Sequence, residues 1–324
     1  SCGALALCLA VAGFATVPFA RGQATAGVQP PAINPTPLSP AKAVGVHLET
    51  IYISPDPSSA VVGEVQPGQE VVILRLAHGY AQVFAGRSGW MRNQGFVLLS
   101  DPAAPAVLFG AADTLQQRAE QYSGEEKTAK NAARLYYQVY NQFPQSFRAA
   151  EALYRAAEIT WQLDTAGLPP NSNNEDYQLP STRLLREVVG KFPKTQWAAR
   201  AEYLHLREQM TCGDWVTQPK CLGKEIGRLR GYWKRYPDGP LAAEAAFGIL
   251  YRQAAAVHIY NRPGPHHDSG KARDYRRKAF NSIADLQRRW PRSDWAARAA
   301  LISYDLRQHI AVGVHRETPA ASPQ

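Results

Sequence analysis

The sequence lacks the short motifs around which many active sites are built. It has no Gly-rich phosphate loop, no Gly-x-Ser-x-Gly elbow and no His-Glu-x-x-His pair. P-loop phosphate chemistry, α/β-hydrolase chemistry and zincin-type hydrolysis therefore have no nucleus here. Six of the eight histidines, His47, His78, His205, His258, His309 and His315, stand singly. Only His266-His267-Asp268 gathers ligand-type side chains. Adjacent imidazoles in a Pro-Gly loop diverge and no third partner is evident, so a solvated turn is expected there and no metal is assigned. The chain is read as non-enzymatic, without a cofactor.

A membrane-length apolar run is missing as well. The run at 4–14 is too short and wrongly flanked for a span. No charge precedes Arg21, and small residues stand at Gly22 and Ala24. Residues 1–24 thus read as a truncated secretory signal peptide cleaved after Ala24, and an exported, periplasmic or envelope-associated protein without a transmembrane span is expected. A lipid anchor on Cys8 is disfavoured by Leu7 in the preceding position.

Cysteine is scarce. Cys2 and Cys8 fall in the expected leader, which leaves Cys212 and Cys221. In an oxidising compartment that pair reads as one disulfide; in the cytosol it would read as two free thiols, and a metal pair would need further ligands.

Acidic residues are outnumbered, 27 against 36 basic ones, but unevenly. Residues 1–110 carry five of each sign, so the excess lies in the remainder. The densest segment, Lys271, Arg273, Arg276, Arg277 and Lys278, is followed by Arg288, Arg289 and Arg292. It can attract an anionic envelope polymer, lipid headgroups or an acidic protein, or be the solvated face of a helix. Export excludes nucleic acid as the partner.

At 324 residues, 45% hydrophobic and 19% charged, the chain has the composition of a folded protein of about two units. Residues 25–43 hold most of the early prolines and no periodic apolar pattern, and are expected to form an extended linker. Over 44–100, short β-branched and aromatic runs at 51–53, 61–62, 71–74, 80–83 and 89–91 are separated by Pro- and Gly-containing turns. Five strands in so short a stretch predict a small closed barrel.

The order of these turns resembles the bacterial SH3 family. The matching residues are Pro57-Ser58, Val61-Val62-Gly63-Glu64-Val65-Gln66-Pro67-Gly68, Gly79-Tyr80 and Gly89-Trp90. The resemblance implies an SH3-like barrel whose ligand-contacting aromatics would be Tyr52, Tyr80 and Trp90, with Trp90 equally suited to the barrel core. Tyr52-Ile53-Ser54 and Tyr80 depart from the family's usual Asn-Val-Arg strand and Trp. Peptidoglycan-peptide specificity is therefore not simply inherited.

From about 106 to 312 one unit recurs four times. Its turns are Phe143-Pro144, Phe192-Pro193, Tyr236-Pro237 and Trp290-Pro291. Alanine stands five, six and eight residues after every proline, and apolar residues one, five and eight before it. The upstream spacing is one face of a helix. The proline ends that helix, and Ser146, Thr195, Gly239 and Ser293 are placed to cap the next. The alanines permit close approach, while Tyr154, Tyr203, Phe247 and Leu301 are expected to fill the space between pairs.

This arrangement resembles the tetratricopeptide superfamily in a divergent form found in bacterial envelope proteins, and implies an all-α superhelix of four hairpins. A joining helix is expected at 106–122, insertions at 167–180, 212–221 and 261–270, and a disordered tail at 313–324. The functional expectation is an envelope scaffold, with the repeats binding a protein or peptide and the barrel contacting cell wall or partner. The competing expectation is an accessory subunit of a peptidoglycan hydrolase, and a third is a purely structural barrel capping the first repeat.

Overall fold

The computed structural model describes residues 36–121, 125–166, 182–210 and 212–313. The expected leader, the first part of the linker, the 167–180 insertion and residues 314–324 lie outside the described residues.

Seven strands come first: β1 (Thr36–Gly45), β2 (Glu49–Tyr52), β3 (Val61–Val65), β4 (Glu70–Ala77), β5 (Tyr80–Phe84), β6 (Ser88–Arg92) and β7 (Phe96–Leu98). They form one antiparallel sheet in the order β3-β2-β6-β5-β4-β1-β7. Backbone pairing leaves β3 and β7 as edges, so the hydrogen-bonded ladder is an open sheet where a closed barrel was expected.

The linker expectation needs correction over residues 36–43, which form most of β1 and pair with β4 and β7. Proline content hid this strand. Proline has no N–H for the ladder and is tolerated at irregularities, and the β1–β4 register shifts between Pro37 and Ala41. Beyond that bulge successive side chains alternate. Ala43 joins the sheet core with Ile51, Val65, Val71, Ile73, Ala81, Val83 and Met91. Val44 turns the other way, to Leu108, Phe109, Leu135 and Tyr136 of the following helices.

Nine helices follow among the described residues: α1 (Ala104–Gln121), α2 (Glu126–Gln142), α3 (Ala149–Ala166), α4 (Arg183–Lys191), α5 (Gln196–Gln209), α6 (Lys220–Arg235), α7 (Ala242–Asn261), α8 (Ser269–Arg289) and α9 (Asp294–Arg307). The last eight pair across the four aromatic-proline turns, and α1 packs between the sheet and α2.

The turns are copies of one another. Each aromatic residue before the proline has φ between −125° and −132° and ψ between 51° and 64°, outside the helical region as a following proline demands. Its N–H still reaches the carbonyl four residues back, at 2.9–3.1 Å. Its own carbonyl accepts from the N–H of Ser146, Thr195, Gly239 or Ser293. Thr195 and Ser293 then cap α5 and α9, accepting from the N–H of Ala198 and Ala296. The other two turns enter their helices without a side-chain cap on the first turn: Ser146 accepts from Arg148, and α7 starts after Leu241.

Alanines five and eight after the proline are buried in all four units. Those six after are not: Ala199 is buried, Ala150 and Ala243 are half-buried and Ala297 is exposed. Between units, aromatics pack against one another. Tyr154 lies 5.5 Å from Trp197, Tyr203 5.1 Å from Tyr232 and Phe247 5.1 Å from Trp295. Leu301, the fourth member of that set, is 67% exposed, because no further hairpin among the described residues covers it.

The sheet is fixed to the stack through the β3–β4 turn. Gly68, at φ 78°, lies so close to Arg134 of α2 that a Cβ would meet its backbone at 3.0 Å. Gln138 donates to the Gly68 carbonyl at 3.0 Å and Gln142 to Glu70 at 2.7 Å.

Candidate functional site

Tyr52, Tyr80 and Trp90 come together on the sheet. Tyr52 and Trp90 are direct partners across β2 and β6, and Tyr80 meets Tyr52 edge-on with ring centres 6.5 Å apart. The flanking residues Gly89 and Met91 are buried, so alternation puts Trp90 on the outer face, half-buried, and not in the core. A Cβ at position 89 would collide with Ile51, Val62 and the Tyr52 carbonyl, which explains the glycine beside the tryptophan. The Arg75 guanidinium stands 5.9 Å from the Trp90 ring centre and donates to Gln82, the residue opposite Trp90. The result is an aromatic surface with one cation and two phenol hydroxyls at its border, which suits contact with an extended polar chain.

Lys271, Arg273, Arg276, Arg277 and Lys278 all lie on α8, and their charge is partly neutralised there. Lys271 pairs with Asp268 at 2.9 Å, and Asp274 takes both Arg277 at 2.6 Å and Lys278 at 2.5 Å. The bond from Lys278 holds the Asp274 carboxyl below its ordinary range, so it stays ionised. Asp268 accepts from the Lys271 N–H and caps α8, which accounts for the only acidic member of the His266-His267-Asp268 group. Among the described residues, no three His, Cys, Asp or Glu side chains gather as a metal site would require, and no helix is long and apolar enough to cross a membrane.

The cationic character extends well beyond α8. In the first helix of each hairpin, basic residues exceed acidic ones by three to one in α2, three to one in α4, six to one in α6 and seven to two in α8. The second helices, α3, α5, α7 and α9, together carry six basic and eight acidic residues. All six cations of α6, Lys220, Lys224, Arg228, Arg230, Lys234 and Arg235, are exposed. Counting charge along the chain hid this pattern; counting it separately on either side of each proline reveals it.

Several charges of the second helices turn inward instead. Arg155 of α3 joins Asp113 of α1 at 3.0 Å and Glu151 at 2.7 Å. Burial raises the Glu158 carboxyl above its ordinary range, opposed by a hydrogen bond from Tyr154 and by Arg200 of the next hairpin. Burial does the same to Glu244, opposed by Tyr203 and Arg207 of the preceding hairpin. Glu158 and Glu244 thus link hairpin to hairpin, and Arg155 ties α3 to α1.

The expected disulfide joins Cys212 and Cys221, with Cα atoms 5.8 Å apart. It closes the loop that carries Trp215 onto Tyr251, with ring centres 6.1 Å apart, and onto Arg252, 5.5 Å from the Trp215 ring centre.

No protein-family model matches this chain, and no curated protein matches it. Among solved structures, a DHF58 filament is similar over 63% of this chain and 91% of its own, at 15% identity and a TM-score of 0.19. The de novo designed helical repeat protein DHR64 is similar over 63% of this chain and 92% of its own, at 16% identity and the same TM-score. Scores so low carry no argument, and the helical repeat rests on the four turns of nearly identical backbone angles in the chain itself.

Proposed function

We propose that this protein is an exported, non-catalytic scaffold of the cell envelope whose stacked hairpins bind an acidic protein or peptide through the cationic first helices. The observation that carries the proposal is the segregation of charge. Exposed cations collect on α2, α4, α6 and α8, while α3, α5, α7 and α9 carry a slight acidic excess and set Glu158 and Glu244 against cations of the neighbouring hairpins. A row of parallel helices presenting one sign of charge raises the local concentration of an acidic partner and its association rate.

In this reading the sheet is a bacterial SH3-like barrel and the hairpins are divergent tetratricopeptide units. The ordered turns of the one and the repeated aromatic-proline turns of the other support it. The Tyr52, Tyr80 and Trp90 surface gives a second, weaker contact, to cell wall or to the same partner. Two contacts on one chain raise apparent affinity through effective concentration.

Charge reversal tests the scaffold. Replacing Lys224, Arg228, Arg273 and Arg277 by Glu should abolish salt-sensitive retention of envelope proteins on the immobilised chain and leave its circular dichroism unchanged. Retention that ignores both salt and the four substitutions would refute the proposal, and release of fragments from purified peptidoglycan by the isolated chain would refute its non-catalytic part.

A further inference from the structure

The two ends of the hairpins differ. The aromatic-proline turns lie at one end, and the connections between hairpins leave from the other. Neighbouring turns touch along the first end. Tyr140 lies 5.9 Å from Phe192 and Trp233 6.1 Å from Trp290, in each case the residue four before one proline against the residue before the next. A Cβ on Gly239 of the third turn would stand 3.5 Å from that of Ala199 in the second hairpin. The four turns therefore form one continuous edge of the stack.

Cations gather on this edge over the last three hairpins. Lys191, Lys234, Arg235, Arg288 and Arg289 occupy the last turns of α4, α6 and α8, and Lys194 and Arg292 directly follow the prolines. All seven are exposed. Glu202 pairs with Arg235 and Asp285 with Arg288, and Asp238 and Asp294 stand exposed on the same edge. Lys191, Lys194, Lys234 and Arg292 enter no ion pair among the described residues. Helix ends account for only part of this gathering. A cation in a last turn complements the negative end of the helix dipole. Lys194 and Arg292 instead precede the caps Thr195 and Ser293, at the positive ends of α5 and α9, where the same dipole opposes them.

In the first hairpin the edge is apolar. Phe147, three residues after its proline, is 91% exposed, and Gln196, Pro240 and Asp294 hold the equivalent positions in the other hairpins. With Pro102, Pro105, Phe143 and Pro144 it borders a cleft of about 470 Å³. An exposed ring beside a row of cations suits an anionic lipid surface, where the ring enters the boundary between headgroups and acyl chains and the cations meet phosphates. A soluble anionic polymer would engage the cations and leave the ring in water.

We infer that the turn edge of the stack docks on an anionic phospholipid surface, with Phe147 entering the headgroup region and Lys194, Lys234 and Arg292 against the phosphates. This edge is distinct from the mid-helix cations offered to an acidic partner, and the inference does not rest on that partner.

Co-sedimentation of the full chain with vesicles tests the inference. The protein should pellet with equimolar phosphatidylglycerol and phosphatidylcholine and stay in solution with phosphatidylcholine alone. Lys194→Glu, Lys234→Glu and Arg292→Glu together should weaken binding by about tenfold or more, and Phe147→Ser by about threefold or more, each with an unchanged circular dichroism spectrum. Reversing Lys220, Lys224 and Arg273 changes the net charge equally, but these cations lie roughly 15–25 Å from the edge along their helices. That exceeds the Debye length of about 10 Å at 0.1 M salt, so this variant should lose less than about threefold. A chain that stays in solution with the anionic vesicles overturns the inference, as does equal loss from the two charge reversals. Binding that ignores Phe147→Ser overturns it too, because it would show attraction of charge alone. Retention of envelope proteins is read separately, so the scaffold can fail while vesicle binding stands.

Discussion

Arg252 of α7 donates from Nε to Glu225 of α6 at 2.6 Å, with only 15% and 2% of the two side chains exposed. It is the most enclosed of the ion pairs among the described residues, and it sits beneath Trp215 of the disulfide loop. Removing one partner from such a pair strands a desolvated charge. Glu225→Ala should therefore cost about 3–5 kcal/mol in urea unfolding, whereas replacing both residues by Met should cost far less. Equal losses from the single and double variants would show that the pair itself holds the hairpin.

The disulfide closes a short loop, nine residues apart in sequence. Constraining a loop of that length contributes about 2–3 kcal/mol through the unfolded chain. Reduction, or Cys212→Ser with Cys221→Ser, should lower stability by about that amount and alter the near-ultraviolet circular dichroism of Trp215. A loss of stability with no change in the aromatic signal would mean that the loop stays docked without its bond.

Alanines that look equivalent along the repeat should respond differently to enlargement. Ala201 is fully buried between helices and Ala297 is exposed. Ala201→Leu should destabilise by about 1–3 kcal/mol through overpacking, while Ala297→Leu should change unfolding by less than about 0.5 kcal/mol. Similar costs at both positions would contradict the hairpin packing described above.

Stability should depend on pH through Glu158. Burial raises its carboxyl above the ordinary range, so the folded protein holds that proton more tightly than the unfolded chain does. Its stabilising contribution is complete below the unfolded carboxylate value of about 4.3 and is lost as pH rises through the folded value. Glu158→Gln, which does not ionise, should gain stability relative to wild type between acidic and neutral pH. A difference that stays constant with pH would contradict the buried setting of Glu158.

Much of this architecture was legible because its causes are local. A proline acts on the residue before it, so four aromatic-proline pairs marked four turns of nearly identical backbone angles. Strand alternation likewise explains why Tyr52 and Trp90 meet on one face. What escaped depends on distant neighbours. Pro37 argued against a strand that exists because β4 and β7 lie on either side of it. Leu301 shares its repeat position with Tyr154 and Tyr203, yet it is exposed because burial there depends on the next hairpin. The cationic face was visible in part on α8, but its extent appeared only once each charge was assigned to the first or second helix of its pair.

The central claim, that the first helices carry the partner, is tested most directly by photo-crosslinking in intact cells. A photoreactive residue would be placed at Arg230 or Arg273, on first helices, and at Gln162 or Gln209, exposed positions on second helices. The account predicts one protein adduct of defined mass from both first-helix positions, lost when the neighbouring cations are reversed, and none from the second-helix positions. An adduct formed only from Gln162 and Gln209 would contradict it.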